Sequence, residues 1–282
     1  MTGGNTLIDP SLTALLPALA DRLMNTRPGP NGLVVAGICG AQGSGKTTLA
    51  HALEYELAAR GRRALTLSLD DFYLPKADRN QLGREVHSLC ATRGVPGTHD
   101  MGLYSSTLAA VASAGPQETT ALPVFSKLDD DRLPVDQWDS YVGCPDVVLF
   151  EGWCVGAQPQ ALDGWRGAIN DLEASEDPDG VWWRWWNEAL ANDYWPIWCD
   201  LDPLILIRVP GIESVVQSRI KQEAGLAAAG PDKPTMDEAA VRRFVAHYER
   251  LTLRIWDEMP ARAHVVIDRD DSFTFSITGA IR

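Results

Sequence analysis

Between positions 40 and 47 the chain reads Gly40-Ala-Gln-Gly-Ser-Gly45-Lys46-Thr47: a glycine, four residues, a second glycine, a lysine and a hydroxyl side chain. Glycines at this spacing let several backbone N–H groups turn inward around an anion, and the positive end of a following helix strengthens that site. The lysine then reaches the outer phosphates of a nucleoside triphosphate, and the threonine hydroxyl offers an oxygen to Mg²⁺. Gly40, Gln42, Gly43, Ser44, Gly45, Lys46, Thr47 and Thr48 are therefore the candidate nucleotide-binding residues. An apolar run at 33–39 precedes the motif and a helical pattern to Arg60 follows it, the context a phosphate-binding loop needs.

Two further segments carry carboxylates at the ends of apolar runs. Asp70-Asp71-Phe72-Tyr73 follows the run at 64–69, and Glu151-Gly152-Trp153 follows the run at 146–150. A carboxylate at the first place can take the proton of a hydroxyl attacking the γ-phosphate, the role expected of Asp70. At the second, Glu151 is expected to hold Mg²⁺ together with Thr47.

The elements that must position these groups follow from periodicity. Continuous apolar runs at 33–39, 64–69, 146–150, 203–209 and 263–267 are separated by stretches long enough for helices. That alternation predicts an α/β protein with a doubly wound, mostly parallel sheet flanked by helices, the fold of P-loop NTPases, with ligands at the carboxyl ends of the strands. Helices are expected at 12–23, at 105–114 behind a serine cap, and at 236–259 behind a capping box from Thr235 to Glu238. Residues 1–32 are expected to form an N-terminal helix and linker, and 33–282 a single domain. Trp182, Trp183, Trp185, Trp186, Trp195 and Trp198 crowd one stretch, as a core or partner-facing cluster would.

Composition sets outer bounds. Among 282 residues, 45% are hydrophobic and 22% charged, as in globular proteins, and the net charge of -13 opposes the electrostatics that nucleic-acid binders use. No apolar run approaches the ~20 residues of a bilayer span. The start has no signal-peptide pattern, which predicts a cytoplasmic protein without membrane or nucleic-acid partners. Five cysteines, none in a CxxC or metal-ligand spacing, are expected to be reduced and buried.

The phosphate loop, Ser68-Leu-Asp-Asp-Phe-Tyr73 and Leu149-Phe-Glu-Gly-Trp153 together resemble the phosphoribulokinase/uridine kinase group of P-loop kinases, and within it the D-glycerate 3-kinases of plant and fungal type. Arg93-Gly-Val-Pro-Gly-Thr-His-Asp100 is similar to that family's Arg-Gly-Asn-x-Gly-Thr-His-Asp, and Lys127 with Asp131-Arg132 is similar to its lysine before an Asp-Arg pair. The likeness runs in order from about Leu33 to Asp268. It implies an ATP- and Mg²⁺-dependent kinase of a small hydroxylated metabolite, in which Lys46, Asp70, Glu151 and Arg132 are catalytic. Tyr73, Arg93, His99, Asp100, Lys127 and Arg132 would then contact the acceptor, with arginine suited to a carboxylate or a moving phosphoryl group.

It also implies a helical lid, with a candidate at 211–235 that carries Arg219 and Lys221 toward the nucleotide. Ala41 and Val95 replace the family's proline and asparagine, and the spacer from Lys127 to Arg132 is shortened, so the acceptor half departs most from the pattern. A nucleoside, pantothenate or a sugar phosphate is the alternative acceptor. A nucleotide-dependent switch is the reading outside enzymes, although no Asn-Lys-x-Asp base-recognition motif is present.

Overall fold

In the computed structural model, which describes residues 9–29, 32–228 and 235–282, the apolar runs become strands because each is covered on both faces. In chain order the strands are β1 (Val34–Gly40), β2 (Ala64–Ser68), β3 (Thr119–Leu122), β4 (Phe125–Ser126), β5 (Asp131–Arg132), β6 (Asp139–Val142), β7 (Val147–Gly152), β8 (Leu204–Arg208), β9 (Val265–Arg269) and β10 (Phe275–Ile277). The helices are α1 (Pro10–Met24), α2 (Lys46–Ala59), α3 (Lys76–Glu85), α4 (Met101–Ser113), α5 (Asp171–Glu176), α6 (Val181–Ala189), α7 (Trp195–Trp198), α8 (Ile212–Ala228) and α9 (Glu238–Glu258).

The main sheet has the order β10-β9-β8-β1-β7-β2, and every pairing is parallel except β9 with β10. Alternate residues of one strand enter separate cores, as the two-residue period of a strand requires. Val34, Ala36 and Ile38 of β1 pack with Leu149, Ile205 and Ile207 under Leu16 and Leu19 of α1 and Leu49 and Leu53 of α2. Val35 and Cys39 pack on the opposite face with Phe150, Leu206, Tyr104, Trp183 and Ile255.

The crowded tryptophans serve that second core. Trp182, Trp183, Trp186 and Trp198 are all buried. Each such ring removes roughly 200 Å² from water, on the order of 5 kcal/mol of transfer free energy.

Several details differ from expectation. β10 is only three residues long, too short to stand out as a pattern, and adds an antiparallel edge. α4 starts at Met101 because the Asp100 side chain accepts from Leu103 N, while Ser105 lies inside the helix and its hydroxyl donates to the Met101 carbonyl. Likewise Asp237 caps α9 by accepting from Ala240 N, so the Thr235 to Glu238 box does not form the cap. Cys39, Cys90 and Cys154 are buried and all five thiols are free, but Cys199 is exposed. Of the candidate lid, α8 lies against α9 through Val215, Val216, Val241 and Val245, and residues 229–234 fall outside the described residues. No helix among the described residues is long and apolar enough to cross a membrane.

Candidate active site

The nucleotide half grows out of β1. After Gly40 the backbone turns through Gly43 and Gly45, at φ +72° and +97°, in the left-handed region that glycine enters without strain. Gly45 is also the N-cap of α2, so the first amides of that helix face the turn. A Cβ on Gly43 would stand 2.6 Å from Ser218 Cβ, which shows how closely α8 approaches the loop. Ser44 is fully buried and its hydroxyl has no partner among the described residues, nor does the amide oxygen of Gln42. Thr47 and Thr48 are exposed at the mouth of the loop.

Glu151 joins three strands. Register places it beside Ile38 on β1 and Ser68 on β2. It is 2% exposed, and its Oε1 accepts from Thr47 Oγ1 and from Ser68 Oγ, each at 2.9 Å. Its other oxygen, Oε2, lies 3.9 Å from Lys46 Nζ and accepts no hydrogen bond among the described residues. Lysine, two hydroxyls and a half-satisfied buried carboxylate thus meet at the carboxyl ends of β7 and β2. Ser68 carries no prior role, although its place at a strand end before the two aspartates marks it.

The candidate acceptor half begins where β2 ends in a 3-10 turn, Leu69–Phe72. Asp70 Oδ2 accepts from Lys127 Nζ at 2.6 Å. Burial alone would raise the Asp70 pKa, but the charges of Lys127 and Lys46 and the Lys127 hydrogen bond outweigh it and hold the carboxyl below its ordinary value. Asp71 next to it behaves oppositely. Burial, helped by the repulsion of Asp70, pushes it up to about 6 despite a hydrogen bond from Phe125 N at 3.2 Å.

The 93–100 segment forms a wall beside these aspartates. Trp153 Nε1 donates to the Gly94 carbonyl at 2.9 Å, Tyr248 donates its hydroxyl to the Arg93 carbonyl at 3.1 Å, and Val95 is buried. The core aromatics Trp153 and Tyr248 thus pin this loop, which presents a fixed surface. His99 is 5% exposed, stacks on Tyr73 with ring centroids 4.3 Å apart, and is held neutral by burial, with its pKa lowered to about 3.

Lys127 and Arg132 form their ion pairs with distant carboxylates, Asp70 and Asp100, and not with the adjacent run Asp129 to Asp131. Arg132 Nη2 donates to the Tyr73 carbonyl at 2.9 Å and to Asp100 Oδ2 at 3.2 Å. Arg93 pairs with Asp130, over the ring of Phe125 at 5.6 Å. Arg79, outside every motif, is 1% exposed and ties the carbonyls of Leu74, Ala91 and Asp130 together, fixing the hairpin of β4 and β5 against the wall. Asp100 is doubly committed, to Arg132 and to the cap of α4. Arg219 pairs with Glu223 on its own helix and lies over Phe244, while Lys221 sits over Phe273.

No known protein-family model matches the chain. An uncharacterized kinase, mug58, of Schizosaccharomyces pombe is 33% identical over 235 residues, spanning 80% of this chain and 83% of that protein. The chain belongs to this family of P-loop kinases. The kinase is also 27% identical over 222 residues to the chloroplastic D-glycerate 3-kinase of Arabidopsis thaliana, covering 76% of this chain and 46% of that protein. Its fold matches the solved D-glycerate 3-kinase of Cryptococcus neoformans with a TM-score of 0.74 at 24% identity, over 95% of this chain and 96% of that one. It is thus a small-molecule kinase that uses ATP, with a phosphate loop, a central mostly parallel sheet and flanking helices.

Proposed function

We propose that this kinase moves the γ-phosphoryl group of ATP onto the terminal hydroxyl of D-glycerate, giving 3-phosphoglycerate and ADP in the cytoplasm. One observation carries the reading: Lys127 faces Asp70, Arg132 faces Asp100 and Arg93 faces Asp130, so each of three cations on the segments around Asp70 meets a carboxylate of the chain itself. Cations so disposed suit an acceptor that brings its own carboxylate, whereas an uncharged nucleoside would leave them without a new partner. The 27% identity to the plant D-glycerate 3-kinase supports the same acceptor.

In this reaction the acceptor oxygen bonds to the γ-phosphorus, the bond to the β–γ bridging oxygen breaks, and the hydroxyl proton passes to Asp70. Asp70 is kept in its basic form by Lys127 and Lys46. Lys46 gathers the charge of the moving group, and Arg132 and Arg93 orient the acceptor carboxylate. Thr47 and Glu151 fit Mg²⁺, because Glu151 Oε2 is buried without a hydrogen-bond partner among the described residues and both offer the hard oxygens this ion prefers. When bound, Mg²⁺ supplies charge neutralisation at the β- and γ-phosphates.

An ADP-release assay with D-glycerate, L-glycerate, glycerol, uridine and pantothenate tests the reading. D-Glycerate should stimulate release most strongly, with 3-phosphoglycerate as product. Stimulation by uridine or pantothenate, with D-glycerate silent, would overturn it.

A further inference from the structure

The neutral state of His99 leaves open which ring nitrogen carries its hydrogen, and Tyr194 answers that question. The segment Leu190–Tyr194 forms one π-helical turn between α6 and α7, and this turn carries the buried Tyr194 to the 93–100 wall. Three groups converge on its phenol oxygen. Gly97 N lies at 2.8 Å, His99 N at 3.3 Å and His99 Nδ1 at 2.9 Å.

A phenol oxygen has one proton to give and two lone pairs to fill. Backbone amides only donate, so Gly97 and His99 occupy both lone pairs. The phenol proton is left for Nδ1, which must accept it. Burial raises the Tyr194 pKa well above its ordinary value, so that proton is present throughout the neutral range. A neutral imidazole that accepts at Nδ1 carries its hydrogen at Nε2.

Nε2 is in turn buried and meets no hydrogen-bond partner among the described residues. A buried N–H without an acceptor is costly, and such a group points to a ligand that completes it. The surroundings agree on where that ligand sits. The imidazole lies against Tyr73, two residues after Asp71, an antiparallel bridge joins the two backbones, and the charge of Asp70 is felt at the ring.

We infer that Tyr194 is a positioning residue that locks His99 as the Nε2–H tautomer, so that Nε2 donates a hydrogen bond to an oxygen of the bound hydroxy acid. The inference rests on the kinase reading for the identity of the ligand, while the tautomer itself follows from the unliganded protein. His99 would thereby recognise the acceptor as an uncharged donor, leaving the proton of the reacting hydroxyl to Asp70.

The test is NMR of the full chain labelled with ¹⁵N-histidine, at pH 7. The chain has five histidines, and His99 is assigned by the signal lost in His99→Gln. In the wild type, Nδ1 should resonate as an unprotonated nitrogen and Nε2 as a protonated one, and D-glycerate with a non-hydrolysable ATP analogue should shift the Nε2 proton. Tyr194→Phe should give a mixture of tautomers and raise the acceptor KM about tenfold, with the ATP KM unchanged.

If Tyr194→Phe does not fold, His99→Gln, which keeps an amide donor on a side chain of similar reach, should retain at least tenfold more acceptor affinity than His99→Leu. A proton on Nδ1 in the wild type, a charged ring, or equal affinity in His99→Gln and His99→Leu would overturn the inference. Failure of D-glycerate in the ADP-release panel overturns the acceptor reading instead and leaves the tautomer measurement standing, since that measurement needs no turnover.

Discussion

The two halves of the candidate site are built on different principles. The nucleotide half is a contiguous segment in which backbone amides, two left-handed glycines and the start of α2 form an anion site, with Glu151 brought in by strand register. The acceptor half is assembled from side chains of three separated segments, around 70–73, 93–100 and 125–132, joined pairwise as Lys127–Asp70, Arg132–Asp100 and Arg93–Asp130. An amide cradle keeps its charge pattern whether or not a ligand is present. Three ion pairs are internally neutral, so an acceptor of the proposed kind would have to exchange its carboxylate for one of the chain's own.

The contrast predicts which constant each substitution moves. Lys46→Ala, in the nucleotide half, should lower kcat/KM by about a thousandfold, roughly 4 kcal/mol, since it removes charge stabilisation of the moving phosphoryl group. Steady-state ADP release checks this, with circular dichroism showing the fold retained. Wild-type turnover in that variant would break the assignment of the nucleotide half.

Arg132→Ala, in the acceptor half, should act more gently. Loss of a charge-assisted contact of about 1.5–3 kcal/mol raises the acceptor KM by roughly ten- to a hundredfold. The ATP KM should stay within about twofold of wild type, and a parallel rise in both constants would erase the boundary between the halves.

Asp71 sharpens the comparison through stability. Its folded pKa of about 6 lies above the ordinary 3.8, so the folded state binds the extra proton between those values. Its contribution is therefore full below about pH 4 and is lost as pH rises through about 6. Asp71→Asn should remove that slope, gaining about 2–3 kcal/mol relative to wild type between pH 4 and pH 7. Urea midpoints measured without nucleotide report it, and parallel pH profiles for the two proteins would contradict the half-buried placement of this carboxyl beside Asp70.

The same division explains which features are legible in the sequence alone. The five parallel strands, the phosphate loop and the two carboxylates at strand ends are local patterns, carried by apolar runs and by contiguous glycine spacing. The misread caps of α4 and α9 are also local, but there two capping residues competed within a few positions and the aspartate in each case won. What sequence could not supply is pairing over distance. Lys127 meets Asp70 across 57 positions and His99 meets Tyr194 across 95, and no spacing rule reaches so far. Arg79 stands outside every motif because its role is to cap carbonyls of three different segments, a function that any buried cation at the right place performs.

The separation of nucleotide grip from hydroxyl activation is tested most directly by Asp70→Asn, assayed for D-glycerate-dependent ADP release and, by calorimetry, for ATP binding. Loss of the base should lower kcat by about a hundred- to ten-thousandfold while the ATP Kd stays within about threefold of wild type. Turnover close to wild type, or ATP affinity lost together with turnover, would contradict the placement of the Asp70 carboxylate at the acceptor hydroxyl.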